Sequence, residues 1–208
     1  MIPIESLFTF VAVSVILALA PGPDNIFVLT QSALHGRREG VLVTIGLCTG
    51  LMVHTTAVAL GVAAVFQTSA AAFTALKIVG ALYLLYLSWS AFSASASGLE
   101  SSKSNKLSGA RLYRRGIIMN VTNPKVSIFF LAFLPQFAAP ENGPVAQQIF
   151  IFGAIFILIT MVVFSSIALL AGMLGAWLQQ SPKAQIYLNR LAGSVFAGLA
   201  IKLAMSTH

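Results

Sequence analysis

Charge is what this chain has least of. Only 8% of its 208 residues are Asp, Glu, Lys or Arg, where a soluble domain carries about 25%. So few charges cannot clothe a globular surface. Acids are the scarcer sign, five against twelve Lys and Arg. Cysteine is almost absent: Cys48 stands alone inside an apolar run, which excludes an intrachain disulfide and CxxC chemistry. The HExxH and GxSxG signatures of hydrolases and the Walker motif for ATP are missing, and His54 is the only histidine within an apolar segment. Intramembrane hydrolysis and ATP-driven work therefore have no residues to run on, and no cofactor or metal is implied. No Lys or Arg precedes "VILALA". The basic n-region of a cleaved signal peptide is thus lacking, and residues 4–20 are read as part of the fold.

What the chain has is hydrocarbon. It is 58% hydrophobic, with apolar segments at about 4–34, 41–66, 73–94, 116–138, 147–178 and 186–205, near or above the roughly 20 residues that cross a bilayer. The expected fold is all-α: one polytopic domain of six transmembrane helices. The net charge of +7 does not point to nucleic acid, because eight of the twelve cations fall between the segments. Arg37 and Arg38, then Lys103, Lys106, Arg111, Arg114 and Arg115, then Lys183 mark alternate connections. Positive loops stay cytoplasmic, which places both termini on the outer, periplasmic side. The Ser-rich basic stretch 95–113 reads as a flexible cytoplasmic linker.

The linker separates two halves, about 1–94 and 114–208, that resemble each other. "GPDN" at 22–25 and "NPKV" at 123–126 both place a proline before an ionisable residue ahead of an apolar run, at an offset of 101. "KIVG" at 77–80 and "RLAG" at 190–193 match at an offset of 113. Three helices per half force the second half to insert upside down, the inverted repeat of many secondary transporters.

The first segment holds "LALAPGPDNIFVL". As one helix, residues 4–34 would run roughly 46 Å, against a hydrocarbon core of about 30 Å. Pro21 and Pro23 cannot donate backbone hydrogen bonds, and Gly22 is free to take the backbone angles a break needs. Pro23 suits the first position of a new half-helix, with Asp24 and Asn25 in its first turn. In the fourth segment Asn123 suits an N-cap and Pro124 a first position, so Lys125 falls where Asp24 falls. A cation there is opposed by the helix dipole and needs an anion. Asp24 and Lys125 lie at matched depths, roughly 15 Å from the cytoplasmic helix ends by helical rise. Broken backbone within a bilayer lines a cavity or is buried in protein. A cavity formed by Pro21, Gly22, Pro23, Asp24, Asn25, Asn123, Pro124 and Lys125 suits a zwitterion, its carboxylate at the helix N-termini and Lys125, its ammonium at Asp24. The competing reading is a permanent Asp24–Lys125 salt bridge that only fixes packing.

Gly46, Gly50 and His54 recur at every fourth residue, and Ala57 and Gly61 continue the stripe. Small residues at this spacing allow close helix approach, within the chain or in a homodimer. His54 on that face is either a substrate contact or proton relay, or a histidine bonded between helices. Lys77 and Arg190 read as snorkelling cations. Tyr83, Tyr86 and Trp89 read as packing or interface aromatics, and Lys202 and His208 as terminal anchors.

"APGPDNIFVLTQSALHGRREG", "GLCTGLMVH", "GALYLLYLSW" and "NVTNPKVSIFFLAFLPQF" together resemble the lysine-exporter superfamily, over nearly the whole chain and nearest its homoserine, threonine and leucine exporter branch. The resemblance implies a bacterial inner-membrane exporter of amino acids or their derivatives. Its partners are a small zwitterionic substrate, protons or another coupling ion, and the lipid bilayer. It also implies importance for Asp24 and Lys125; in the transport cycle expected here Asp24 is the proton-coupling acid, alternately protonated and paired with Lys125 or the substrate amine. A disulfide-shuttling branch needs two cysteines, which Cys48 alone cannot supply. The alternative is a non-transporting membrane scaffold or subunit.

Overall fold

The computed structural model describes residues 2–68, 70–94 and 107–205. Among them every regular element is helical. The order is α1 (Ile4–Leu19), α2 (Pro23–His35), α3 (Arg37–Thr68), α4 (Ala70–Ser93), α5 (Gly109–Val121), α6 (Pro124–Ile128), α7 (Val145–Gln180) and α8 (Pro182–Met205). A π-helical turn, Phe129–Phe133, and a 3-10 turn, Leu134–Phe137, prolong α6, and Pro140–Asn142 forms another short turn.

Among the described residues three stretches, Arg37–Gly61, Val145–Ala171 and Gln185–Met205, are long and apolar enough to cross a membrane. The count reaches five if each of two bent pairs is one span. The pairs are α1 with α2, bent by 57°, and α5 with the Pro124–Phe137 stretch, bent by 49°. Both bends fall at the prolines. Pro23 and Pro124 occupy the first turns of α2 and α6, where the missing N–H costs nothing. Between α2 and α3 the chain turns at Gly36, whose φ of +111° only glycine adopts without strain.

α5 starts at Gly109, so the linker expected to reach residue 113 ends earlier. Arg111, Arg114 and Arg115 belong to a helix. Arginine is a good helix former, and composition alone could not separate a basic helix from a basic loop. The Arg115 guanidinium sits 4.7 Å over the Phe27 ring of α2. The remainder of the expected linker, 95–106 with Lys103 and Lys106, and the expected anchor His208 lie outside the described residues.

α3 organises the bundle. It runs alongside α5 and packs on α7. Gly46 and Gly116 bring α3 and α5 into backbone contact: a Cβ on Gly46 would strike the Tyr113 carbonyl, and their Cα atoms leave no room for a side chain between them. The Gly46/Gly50 face is therefore filled from within the chain. α3 meets α7 antiparallel, Gly40 beside Ala168 and Thr55 beside Gly153. α4 meets α8 antiparallel, Gly80 beside Leu203 and Gly193 against the Phe92 ring. Two buried clusters result. One is aromatic, with Phe10, Phe129, Phe130, Phe133, Phe137, Phe152 and Phe156. The other holds Val28, Val43, Leu47, Leu112, Phe164 and Ala168. Large apolar side chains such as Phe8, Leu60, Leu82, Trp89, Leu158 and Met173 are exposed around the bundle, as lipid-facing positions require.

Candidate functional site

Breaking a helix frees backbone groups, and in a bilayer each must find a partner within the protein. At the end of α1 the partners are side chains. Asn25 Nδ2 donates to the Ala18 carbonyl at 2.7 Å. Lys125 Nζ donates to the carbonyls of Ala20 at 3.1 Å and Leu17 at 3.4 Å. At the end of α5, His54 Nε2 lies 3.2 Å from the Asn120 carbonyl, and the Thr122 hydroxyl donates to that of Ile118. His54 thus joins α3 to the second break, with its ring 5.6 Å from that of Phe130.

The N-termini follow the sequence expectation in part. Asn123 caps α6, its Oδ1 accepting from the Lys125 N–H at 3.0 Å. Gly22 occupies the cap position of α2 without a side-chain bond. Its role differs from the expected one. At φ −174° and ψ 175° its backbone is extended, open to any residue. What it supplies is space, because a Cβ there would lie 3.1 Å from Lys125 Nζ and 3.6 Å from Cε.

Asp24, Asn25, Asn123 and Lys125 are all buried, Asp24 to 2% exposure and Lys125 to 8%. Pro21, Pro23 and Pro124 flank them with exposed rings. Lys125, Asn123 and His54 are close enough to Asp24 to act on its charge. Yet the ammonium does not turn to the carboxylate. It takes the carbonyls at the end of α1, where the helix dipole places partial negative charge. Asp24 Oδ2 instead accepts a long bond, 3.5 Å, from Asn120 Nδ2 at the end of α5. Each charge reaches across to the end of the opposite broken helix. A cation finds acceptors there directly. An anion does not, and needs an amide to stand between. A permanent Asp24–Lys125 bridge is not the arrangement present.

Asn120 is a site residue the sequence reading passed over. Its signals were an amide deep in an apolar run and a glycine opposite: a Cβ on Gly50 would lie 2.7 Å from the Asn120 side chain. The site also leaves polar atoms unspent. Asp24 Oδ1, Asn25 Oδ1, Asn120 Oδ1 and Asn123 Nδ2 are buried without a hydrogen-bond partner. Two amide acceptors and one amide donor flank an ammonium and a carboxylate that keeps one oxygen unpartnered. That set can take up an ammonium and an acceptor group from a polar solute, each of which would satisfy atoms that are costly to leave bare.

The chain as a whole is similar to known proteins. The family model described as LysE type translocator matches residues 15–207. The chain is 36% identical over 201 residues to a homoserine/homoserine lactone efflux protein of Salmonella typhimurium, covering 97% of both chains. It is 32% identical to an uncharacterized membrane protein of Vibrio cholerae, covering 94% of each. It is 28% identical to the uncharacterized membrane protein YrhP of Bacillus subtilis, covering 97% of this chain and 100% of that one. No solved structure matches the chain.

Proposed function

Because the chain belongs to the LysE type translocator family, and so is a membrane transporter rather than an enzyme, we propose that it exports small zwitterionic amino acids or their derivatives across a bacterial inner membrane, driven by the proton gradient. One observation carries this reading: the buried pair of opposite charges, each held at the end of the other broken helix, with a free Asp24 oxygen and three unpartnered amide atoms around them. Asp24, Asn25 and Asn120 receive the ammonium, and Lys125, Asn123 and the α6 N-terminus receive the carboxylate. Asp24 carries the coupling proton. The efflux relatives make homoserine and its lactone the first cargo to test.

The scaffold for this work is six spans in two inverted halves, with α4 as the sixth beside the three long stretches and the two bent pairs. Its outward face, with Ile78, Val79, Leu82, Tyr86 and Trp89 exposed, suits lipid. A two-fold axis in the membrane plane relates each helix to an antiparallel counterpart, and α3 with α7 and α4 with α8 run so. The contacts repeat in kind: Gly80 of α4 faces Leu203 of α8, while Gly193 of α8 faces Phe92 of α4. Gly193 stands 113 residues after Gly80, and Leu203 stands 111 after Phe92. With Arg37, Arg38 and the α5 arginines cytoplasmic, both termini are periplasmic.

The test is efflux of radiolabelled homoserine from preloaded cells lacking their own exporters. Expression of the chain should accelerate loss of label, and a protonophore should abolish the acceleration. Unchanged efflux of homoserine, its lactone and a panel of other amino acids would leave the scaffold reading in its place.

A further inference from the structure

Hydroxyls inside helices ordinarily hide their donor on the carbonyl one turn back. This chain follows the habit: Ser32 donates to Val28, Thr44 to Gly40, Thr55 to Leu51 and Ser166 to Val162. Thr160 does not. It is 3% exposed in α7, and its Oγ1 has no partner.

Its depth follows from two independent registers. Toward the Arg37 end, Ser32 of α2 and Ala168 of α7 flank Gly40 together, and Val28 and Phe164, one turn nearer the break, share a cluster. One further turn sets Thr160 level with Asp24. From the other end, the rings of Phe10 and Phe152 are 4.7 Å apart. Two turns on along parallel α1 and α7 bring Ala18 level with Thr160. Thr160 therefore stands level with the break.

The same seam holds more unspent polarity. Gln31 is two turns beyond Asp24 on the buried face of α2, 3% exposed, with Oε1 unpartnered. His35 follows one turn later, with Nε2 buried and unpartnered. Asp24, Gln31 and His35 share one helical face, at spacings of seven and four. On the other side of the break the polar file stops at Ser14, against the phenylalanine cluster. Val28 and Phe164 lie between Asp24 and Gln31 and close the seam in this state.

We propose that the α2–α7 seam is the limb of the transport path leading from the break to the Arg37 face. Thr160 is a further substrate-binding residue, Gln31 a polar station along the limb, and Val28 with Phe164 its gate. The cargo is a small solute bearing hydrogen-bonding groups, and the inference rests on the export reading above.

The lone native thiol makes the test clean. In a Cys48→Ala background, Gln31→Cys and Thr160→Cys are compared with Leu158→Cys, which neighbours Thr160 but is 66% exposed on the outer face of α7. Membrane-impermeant methanethiosulfonate is applied to inside-out vesicles, and homoserine efflux by the parent is followed in parallel. Only an aqueous thiol ionises and reacts, so the two seam positions should label at least about tenfold faster than the control, and homoserine should slow them. Thr160→Val should raise KM by about tenfold, the worth of one hydrogen bond, with Thr160→Ser near the parent. Seam labelling no faster than at Leu158→Cys, with the parent exporting, overturns the path and leaves export standing. A parent that exports nothing overturns the export reading and the path with it.

Discussion

The two breaks share a backbone plan and differ in sign. Each ends a helix, resumes it at a proline and places an ionisable residue second in the new helix. At the α5–α6 break that residue is Lys125, which the dipole of its own helix disfavours. It is rescued by carbonyls of the α1 terminus, and Gly22 stands aside for it. At the α1–α2 break it is Asp24, which its own helix favours. Asp24 holds its place with one long bond from Asn120 and keeps an oxygen free. The base is tied down and the acid is left available. Lys125 spends its hydrogen bonds joining the halves, while Asp24 keeps an unpartnered oxygen.

The largest effect should come from cutting the tie. Lys125→Met strands two buried carbonyls, at about 1–3 kcal/mol each. Efflux should fall to background and the melting temperature in detergent should drop, both measured on purified protein. Asp24→Asn should separate the two roles. Efflux should fall at least about tenfold, as expected for losing a charge-assisted bond, while the melting temperature stays near the parent's. An equal loss of stability in both variants would erase the distinction drawn above.

Gly22→Ala sharpens the comparison from the other side. Its methyl should push the ammonium aside by a few tenths of an ångström and destabilise by about 1 kcal/mol. In a Lys125→Ala background the same change should cost little, and thermal melts of the four proteins close the cycle. Gly50→Ala should crowd Asn120 at a similar cost and weaken export, whereas Gly61→Ala, with nothing within 4 Å of its would-be Cβ, should leave melting and efflux unchanged. His54→Gln, which keeps a donor for the Asn120 carbonyl, should also have a small effect. Efflux within about twofold of the parent marks His54 as a link between helices; a collapse marks it as part of the transport chemistry.

Helical class, breaks and charged pair were legible in the sequence because each has a local cause. Apolar length demands helices, proline ends them, and a lone acid or base in hydrocarbon announces itself. The Gly22 contact was not legible, since a glycine in an extended conformation is made necessary only by a side chain 103 residues away. The direct hydrogen-bond partners of Lys125 were not legible for a related reason. An acid is visible as a letter, whereas the negative end of a helix belongs to no letter. Asn120 and Thr160 carried a signal, polar groups in apolar runs, but whether such a group is spent on its own backbone or left free is decided by packing. The π-helical turn at Phe129–Phe133 left no mark on the sequence reading; five apolar residues in succession look alike in any helix.

The close approach at Gly46 and Gly116 has a mechanical consequence. Helices slide over one another on a layer of interdigitated side chains that swap rotamers as they pass. Where two main chains touch, that lubricating layer is gone. α3 and α5 are riveted there, and they travel as one piece however the protein alternates between its faces. The pliable joints are then the two prolyl elbows, with Asp24 and Lys125 set at them.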